Sequence, residues 1–361
     1  MLPVGRGRFH QRGPNRPYCQ PRGFEAGHPG FGEGRNGGQQ AAARGGAFQI
    51  DFLPAAPRRG RPRRSRCRHR ARRNDACAVG WRFRGAGRKD VPSGASVPSA
   101  LTGRSALVTG STGGLGHALA DRFAAEGCAV LLHGIAAPEE GGRLARDMAA
   151  RHGARALYLR ADLARPEEIA ALMAQAAGAF DGGPDILVNN AVVRHFGPVE
   201  ALAPADWDAD IAVNLSAAFH TIRLALPGMR ARGWGRILNM SSVYGLFGAA
   251  GRAGYVTTKT ALIGLTRAVA METARGGITC NALCPGSAPT PAIEARIAAA
   301  MEARGETDRD AAVAAFLAEK QPTRRFVSPA KVAAMAAFLC GPDADDITGA
   351  AIPLDGGWSA S

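Results

Sequence analysis

Residues 105–120 read Ser-Ala-Leu-Val-Thr-Gly-Ser-Thr-Gly-Gly-Leu-Gly-His-Ala-Leu-Ala, and few folds accommodate such a stretch. The apolar run 106–108 is spaced as a buried strand, and the apolar-periodic stretch 115–123 as a helix. Gly110, Gly114 and Gly116 fall where one hands over to the other, with Ser111 and Leu115 in the same turn. Glycine there lets the chain turn sharply and lets a phosphate approach the peptide N–H groups. The helix N-terminus adds unpaired donors and the positive end of a dipole. A strand before and a helix after are the context that a dinucleotide-binding turn requires.

The rest of the chain beyond residue 101 repeats that alternation. Short apolar runs at 129–132, 156–159, 186–188, 236–240, 278–283 and 351–354 are spaced as strands. Between them, 138–152, 166–180, 207–229, 255–273 and 331–339 carry helical periodicity, and 292–319 reads as a helical insertion. Such a pattern predicts an α/β domain over 101–361, a single Rossmann-type, doubly wound parallel sheet with helices on both faces. Ligands of such sheets bind beyond the carboxyl ends of the strands.

The first hundred residues are different. The whole chain of 361 residues has a formal charge of +15. Residues 1–100 carry 21 Lys or Arg against 5 Asp or Glu, whereas the remaining 24 basic and 25 acidic residues nearly cancel. The stretch is rich in Gly, Arg and Pro and sustains no periodicity, so it is expected to be a disordered extension. Three readings compete: a tail for nucleic acid or an anionic surface, an Arg-rich organelle transit peptide, and upstream DNA translated from a start placed too early. The compositional break near residues 91–97 favours the last, with Val97 as an alternative start; nucleic acid is then not an expected partner.

The seven cysteines are odd in number and form no C-x-x-C pair, so neither a disulfide framework nor a zinc site is expected, and no metal. This fits a reducing, cytoplasmic setting. No uninterrupted apolar run approaches the roughly 20 residues of a membrane span, and the N-terminus lacks the apolar core of a secretory signal.

Tyr255 and Lys259 are four apart in a predicted helix and so share a face. A phenol with a free pKa of about 10 is a poor base at neutral pH, and an adjacent ammonium stabilises its ionised form. Such a pair suits general acid/base work. Ser242 lies just past the fifth strand, where its hydroxyl can hold a substrate oxygen. Alone, Tyr-x-x-x-Lys is ordinary helix surface. Here the glycine turn, Asn189-Asn190-Ala191, Asn214, Ser242, Tyr255, Lys259 and Pro285-Gly286 occur in one order.

That joint pattern resembles the short-chain dehydrogenase/reductase family over the entire stretch from residue 101 to the C-terminus. The resemblance implies that Tyr255 is the catalytic acid/base and that Lys259 assists it and holds the nicotinamide ribose. It implies that Ser242 positions the carbonyl or carbinol and that Asn214 holds a water of the proton relay. Gly110, Ser111, Gly114, Leu115 and Gly116 would wrap the pyrophosphate, and Asp162 and Leu163 would flank the adenine. Asn190 and Ala191 would line the ribose side, and Pro285, Gly286 and Thr290 the nicotinamide end. Val192 stands where the family has glycine, and its β-branched side chain is expected to crowd the cofactor. A homotetramer is also implied.

The family's NADP enzymes often carry a basic residue in the turn or after the second strand. Here those places hold Thr112-Gly113 and His133-Gly134-Ile135. An unpaired buried phosphate is costly, which favours NAD over NADP. Residues 213–220, 318–322, 326–327 and 354–358 resemble the D-3-hydroxybutyrate dehydrogenase branch, and 292–319 matches its substrate lid. The branch's carboxylate-binding side chains are not reproduced: its usual Gln, His, Lys and Gln fall at Arg194, Tyr244, Arg252 and Arg296, of which Arg252 keeps the positive charge. Guanidinium groups suit carboxylates, so a small anionic hydroxy or oxo acid is expected, either 3-hydroxybutyrate-like or a larger or doubly charged relative of it. The expectation is an NAD-dependent oxidoreductase of short 3-hydroxy acids. The alternatives are an NADPH-dependent 3-oxoacyl thioester reductase and, of another class, a nucleic-acid-binding protein using the basic tail.

Overall fold

The computed structural model describes residues 99–361; nearly all of the expected basic extension, with Val97, lies outside the described residues. Seven strands form one parallel sheet: β1 (Ser105–Val108), β2 (Ala129–Gly134), β3 (Ala156–Arg160), β4 (Ile186–Asn189), β5 (Gly235–Met240), β6 (Ile278–Pro285) and β7 (Ala351–Leu354). Their order is β3-β2-β1-β4-β5-β6-β7, and every pairing is parallel. All seven strands expected from the apolar runs are present, and the Rossmann-type expectation holds.

Alternation of side chains divides the core into two layers. Leu107, Leu131, Leu187 and Ile237 point to one face, where they meet Ile169 and Leu172 of α3 (Pro166–Ala179) and Ile222 and Met229 of α5 (Ala217–Arg232). Their chain neighbours Val108, Val130, Leu132 and Val188 point to the other. There they pack on Leu119 and Phe123 of α1 (Gly114–Ala125), Met148 of α2 (Pro138–His152) and Val332 and Ala336 of α9 (Pro329–Cys340). A parallel sheet buried on both faces needs apolar residues at consecutive positions, which is why the strands read as continuous runs.

Two helical expectations are revised. The helix expected over 207–229 is interrupted. It consists of α4 (Pro204–Ile211), one wide turn at Ala212–Ser216, and α5. In the wide turn the Ala217 N–H bonds the Ala212 carbonyl, five residues back instead of four. The insertion is two helices, α7 (Pro291–Arg304) and α8 (Arg309–Leu317), because Gly305 takes a left-handed conformation that closes the first. The pair has its own small core around Ile297, Val313 and Leu317. No helix among the described residues is long and apolar enough to cross a membrane.

Strand order reverses between β1 and β4. A crevice opens there at the carboxyl ends, and α6 (Ala253–Thr273) and the α7–α8 pair wall its far side.

Candidate active site

One cavity of about 710 Å³ runs along these strand ends. At its β1–β2 end the lining is mostly backbone. Gly110 and Gly114 both have positive φ, +62° and +55°. A Cβ on Gly110 would sit 2.8 Å from the Ala191 Cα, and one on Gly116 would sit 2.1 Å from the Gly110 carbonyl oxygen. These two glycines let the turn, α1 and the end of β4 close on one another. Asn190 seals the joint: its amide donates to the carbonyls of Thr109 and Gly110 at 2.9 and 3.0 Å. Thr109 Oγ1 accepts the N–H groups of Asn190 and Ala191. Gly113 caps α1 with no side chain, and a Cβ on Gly113 or Gly114 would meet nothing within 4 Å. The helix N-terminus therefore faces open space.

His133 is buried at the end of β2. Its Nδ1 accepts the Gly110 N–H at 3.1 Å, and its Nε2 donates to the Ala161 carbonyl at 3.1 Å. Burial pushes the imidazole down to about 4, so the ring is neutral at physiological pH. It is a strut of the turn, not a phosphate ligand. Ser111 does not line the cavity. Its hydroxyl donates to the Val108 carbonyl and accepts the His133 N–H, which spends it on the β1–β2 junction. Leu115, Asp162, Leu163 and Val192 do line it.

At mid-cavity, Ser242 follows β5 and caps a short 3₁₀ turn, its Oγ accepting the Tyr244 N–H at 3.2 Å. That turn packs on α6, because the Ser241 hydroxyl donates to the Lys259 carbonyl at 2.8 Å and Gly245 leaves no room for a Cβ against the same group. Tyr255 and Lys259 on α6 are buried and line the cavity with Ser242. Lys259 Nζ donates to the Met240 carbonyl at 2.7 Å and lies 5.7 Å from the Tyr255 ring centroid. Burial, with Arg194 adding repulsion, pushes the Lys259 ammonium down to about 7.

Asn214 lies in the wide turn and does not line the cavity. Its side chain clamps both backbone groups of Val193, at 2.8 and 3.0 Å, and its amide reaches Thr258. Its side chain is thus committed to the scaffold.

The far end is rings and cations. Tyr244 makes edge-to-face contacts with Tyr255, Phe247 and Trp358. Arg194 lies 5.4 Å from the Tyr255 ring centroid, and Arg252 lies 4.4 Å from that of Phe196 and 5.1 Å from that of Tyr244. Arg296 and Lys320 share the Phe316 ring, at 5.4 and 4.7 Å. Pro285, Gly286 and Thr290 complete this wall. Lys320, Phe316 and Phe196 were not singled out by the sequence reading. Phe316 and Lys320 are neighbours at the end of α8, whereas Phe196 lies far from them along the chain, and no spacing announces that the three share one cavity.

A family model described as enoyl-(acyl carrier protein) reductase matches residues 110–359. The D-beta-hydroxybutyrate dehydrogenase of Rhizobium meliloti is 41% identical over 257 residues, 71% of this chain and 99% of that protein. The protein of the same name from Cupriavidus necator is 41% identical over 260 residues, 72% and 99% of the two chains. Among solved structures, L-sorbose reductase from Gluconobacter frateurii, complexed with NADPH and L-sorbose, superposes with a TM-score of 0.69 at 30% identity, covering 73% of this chain and all of that one. The chain belongs to the short-chain dehydrogenase/reductase family of oxidoreductases.

Proposed function

We propose that the protein is an NAD-dependent dehydrogenase that interconverts a short 3-hydroxy acid and its 3-oxo acid. The observation that carries this is the common cavity in which Ser242, Tyr255 and Lys259 stand between an open glycine turn and a cationic wall. The two D-beta-hydroxybutyrate dehydrogenases that match nearly end to end support the substrate class.

The residues fit a dinucleotide. The uncapped start of α1 beside Gly113 and Gly114 offers N–H donors and space for a pyrophosphate. Asp162 and Leu163 would flank the adenine, and Asn190, Ala191, Lys259, Pro285, Gly286 and Thr290 the ribose and nicotinamide. When bound, the nicotinamide supplies the two-electron acceptor for the C–H bond of the carbinol. Ser242 Oγ orients the substrate oxygen. Tyr255, acting as the base, takes the hydroxyl proton as the C=O forms, and returns it in the reverse direction. Lys259, pushed down to about 7, supplies positive charge beside that phenol when it holds its proton. Asn214 serves the site by fixing Val193, which lines the cavity. Helices α7 and α8 act as the lid that excludes water.

NAD is preferred because, among the described residues, no Lys or Arg lines the cavity near the ends of β2 and β3, where an adenosine 2′-phosphate would lie; Arg160 at the end of β3 donates to the Ile135 carbonyl, and His133 is neutral and already bonded at both nitrogens. An NADPH-dependent 3-oxoacyl thioester reductase is the second reading, favoured by the NADPH bound to the sorbose reductase. Steady-state turnover with NAD and NADP, on free 3-hydroxybutyrate and on a 3-oxoacyl thioester, separates them. Oxidation of the free acid with NAD supports the first reading; activity confined to the thioester with NADPH overturns it. Trp207 and Phe219, exposed on α4 and α5, leave an apolar face that a homotetramer would cover. We place the protein in the cytoplasm, in keeping with its unpaired buried cysteines.

A further inference from the structure

Four cationic side chains reach the far end of the cavity from separate segments. Arg194 follows β4, Arg252 precedes α6, Arg296 lies on α7 and Lys320 follows α8. Among the described residues none of them pairs with a carboxylate. Each lies against an aromatic ring instead. The one carboxylate lining the cavity is Asp162, beyond β3 and so across four strands from β6.

The four charges fall into two groups. Arg252, Arg296 and Lys320 act on one another: partial burial, and then the nearby positive charge of Arg296 and Arg252, hold the Lys320 ammonium below its ordinary range. Arg194 stands nearer the chemistry, on the Tyr255 ring and close enough to repel Lys259. Ring contacts of this kind orient a guanidinium but do not cancel its charge. A single carboxylate accepts one bidentate guanidinium and neutralises one charge. It leaves the remaining cations without an anionic partner, and for Arg252 and Lys320, which are half-buried, unpaired charge is the more costly.

We infer that the substrate carries two anionic groups, a short hydroxy dicarboxylate whose far carboxylate is held by Arg252, Arg296 and Lys320 and whose near carboxylate is held by Arg194. The carbinol then lies between them, under Ser242 and Tyr255. This rests on the proposed hydroxy-acid dehydrogenase activity and narrows it. The competing view is that the exposed Arg194 and Arg296 are solvated arginines without a ligand.

The test compares 3-hydroxybutyrate, 3-hydroxyglutarate and the monoamide of 3-hydroxyglutarate as substrates of the full chain with saturating NAD at one ionic strength. The monoamide keeps the length of the diacid and removes one charge. The diacid is expected to exceed both others in kcat/KM by about tenfold or more. The double substitution Arg296→Gln with Lys320→Met is expected to lower kcat/KM for the diacid about tenfold more than for 3-hydroxybutyrate. Calorimetric binding of unreactive glutarate and butyrate to the unsubstituted protein gives a reading that needs neither turnover nor a folded variant. The inference is overturned if the monoamide or 3-hydroxybutyrate equals the diacid, or if glutarate binds no tighter than butyrate. If no hydroxy acid is oxidised but glutarate still binds about tenfold more tightly, the dehydrogenase reading fails and the dianion site stands.

Discussion

At the β1–β2 end of the cavity the lining is rich in glycine and carries no arginine or lysine; at the β5–β6 end arginine, lysine and aromatic rings gather. The first end is held by close backbone approaches, such as the 2.1 Å a Cβ on Gly116 would leave to the Gly110 carbonyl. The second is held by side chains resting on one another, such as Arg252 between Phe196 and Tyr244. Backbone geometry admits one shape and suits a ligand shared by many enzymes. Side-chain platforms can be exchanged singly and suit a ligand that differs from one enzyme to the next.

The largest expected effect falls at the junction of the two ends. Tyr255→Phe keeps the ring contacts and removes the proton acceptor, so kcat is expected to fall about 10²–10⁴-fold. Nucleotide binding, followed by fluorescence titration, is expected to persist; near-normal turnover would remove the role assigned to Tyr255. Next is Gly116→Ala, which has no free space at the backbone-built end and is expected to cost about 1–3 kcal/mol in stability by thermal or denaturant unfolding. An unchanged midpoint would show that this end yields as easily as the other.

A smaller effect comes from placing a positive charge where no Lys or Arg lines the first end. Ile135 is exposed just past β2 and lines the cavity. Ile135→Arg is expected to raise kcat/KM with NADP about tenfold, with NAD turnover as the internal reference. The smallest concerns pH. Lys259 titrates near 7 in the fold against an ordinary value of 10.5. Between these the unfolded chain binds more protons, so the destabilisation, complete below about pH 7, is relieved as pH rises toward 10.5. The melting temperature of the nucleotide-free protein is expected to climb by a few degrees over that window, and Lys259→Met to flatten the climb.

The sequence carried the sheet almost whole. Val130, Leu131 and Leu132, buried on both faces, leave a run that cannot be mistaken for a half-exposed strand. The glycine turn was equally plain, because φ > 0 and absent side chains are written in residue type. The wide turn at Ala212–Ser216 was not, since its periodicity continues that of α4. It is imposed from outside by the grip of Asn214 on Val193. Nor did residue type tell that the Ser111 hydroxyl turns inward to the strands, or that Lys320 returns over Phe316. The first depends on β2 lying beside the turn, where the His133 N–H meets the Ser111 hydroxyl, and the second on how the chain leaves α8.

The ring-backed guanidinium groups have a kinetic consequence. A negatively charged molecule drifting toward the mouth meets cations that, among the described residues, form no ion pair with a carboxylate, and it need not displace a resident partner before docking. Capture should then be fast in dilute buffer and slow as mobile ions screen the attraction over about 10 Å at 0.1 M salt.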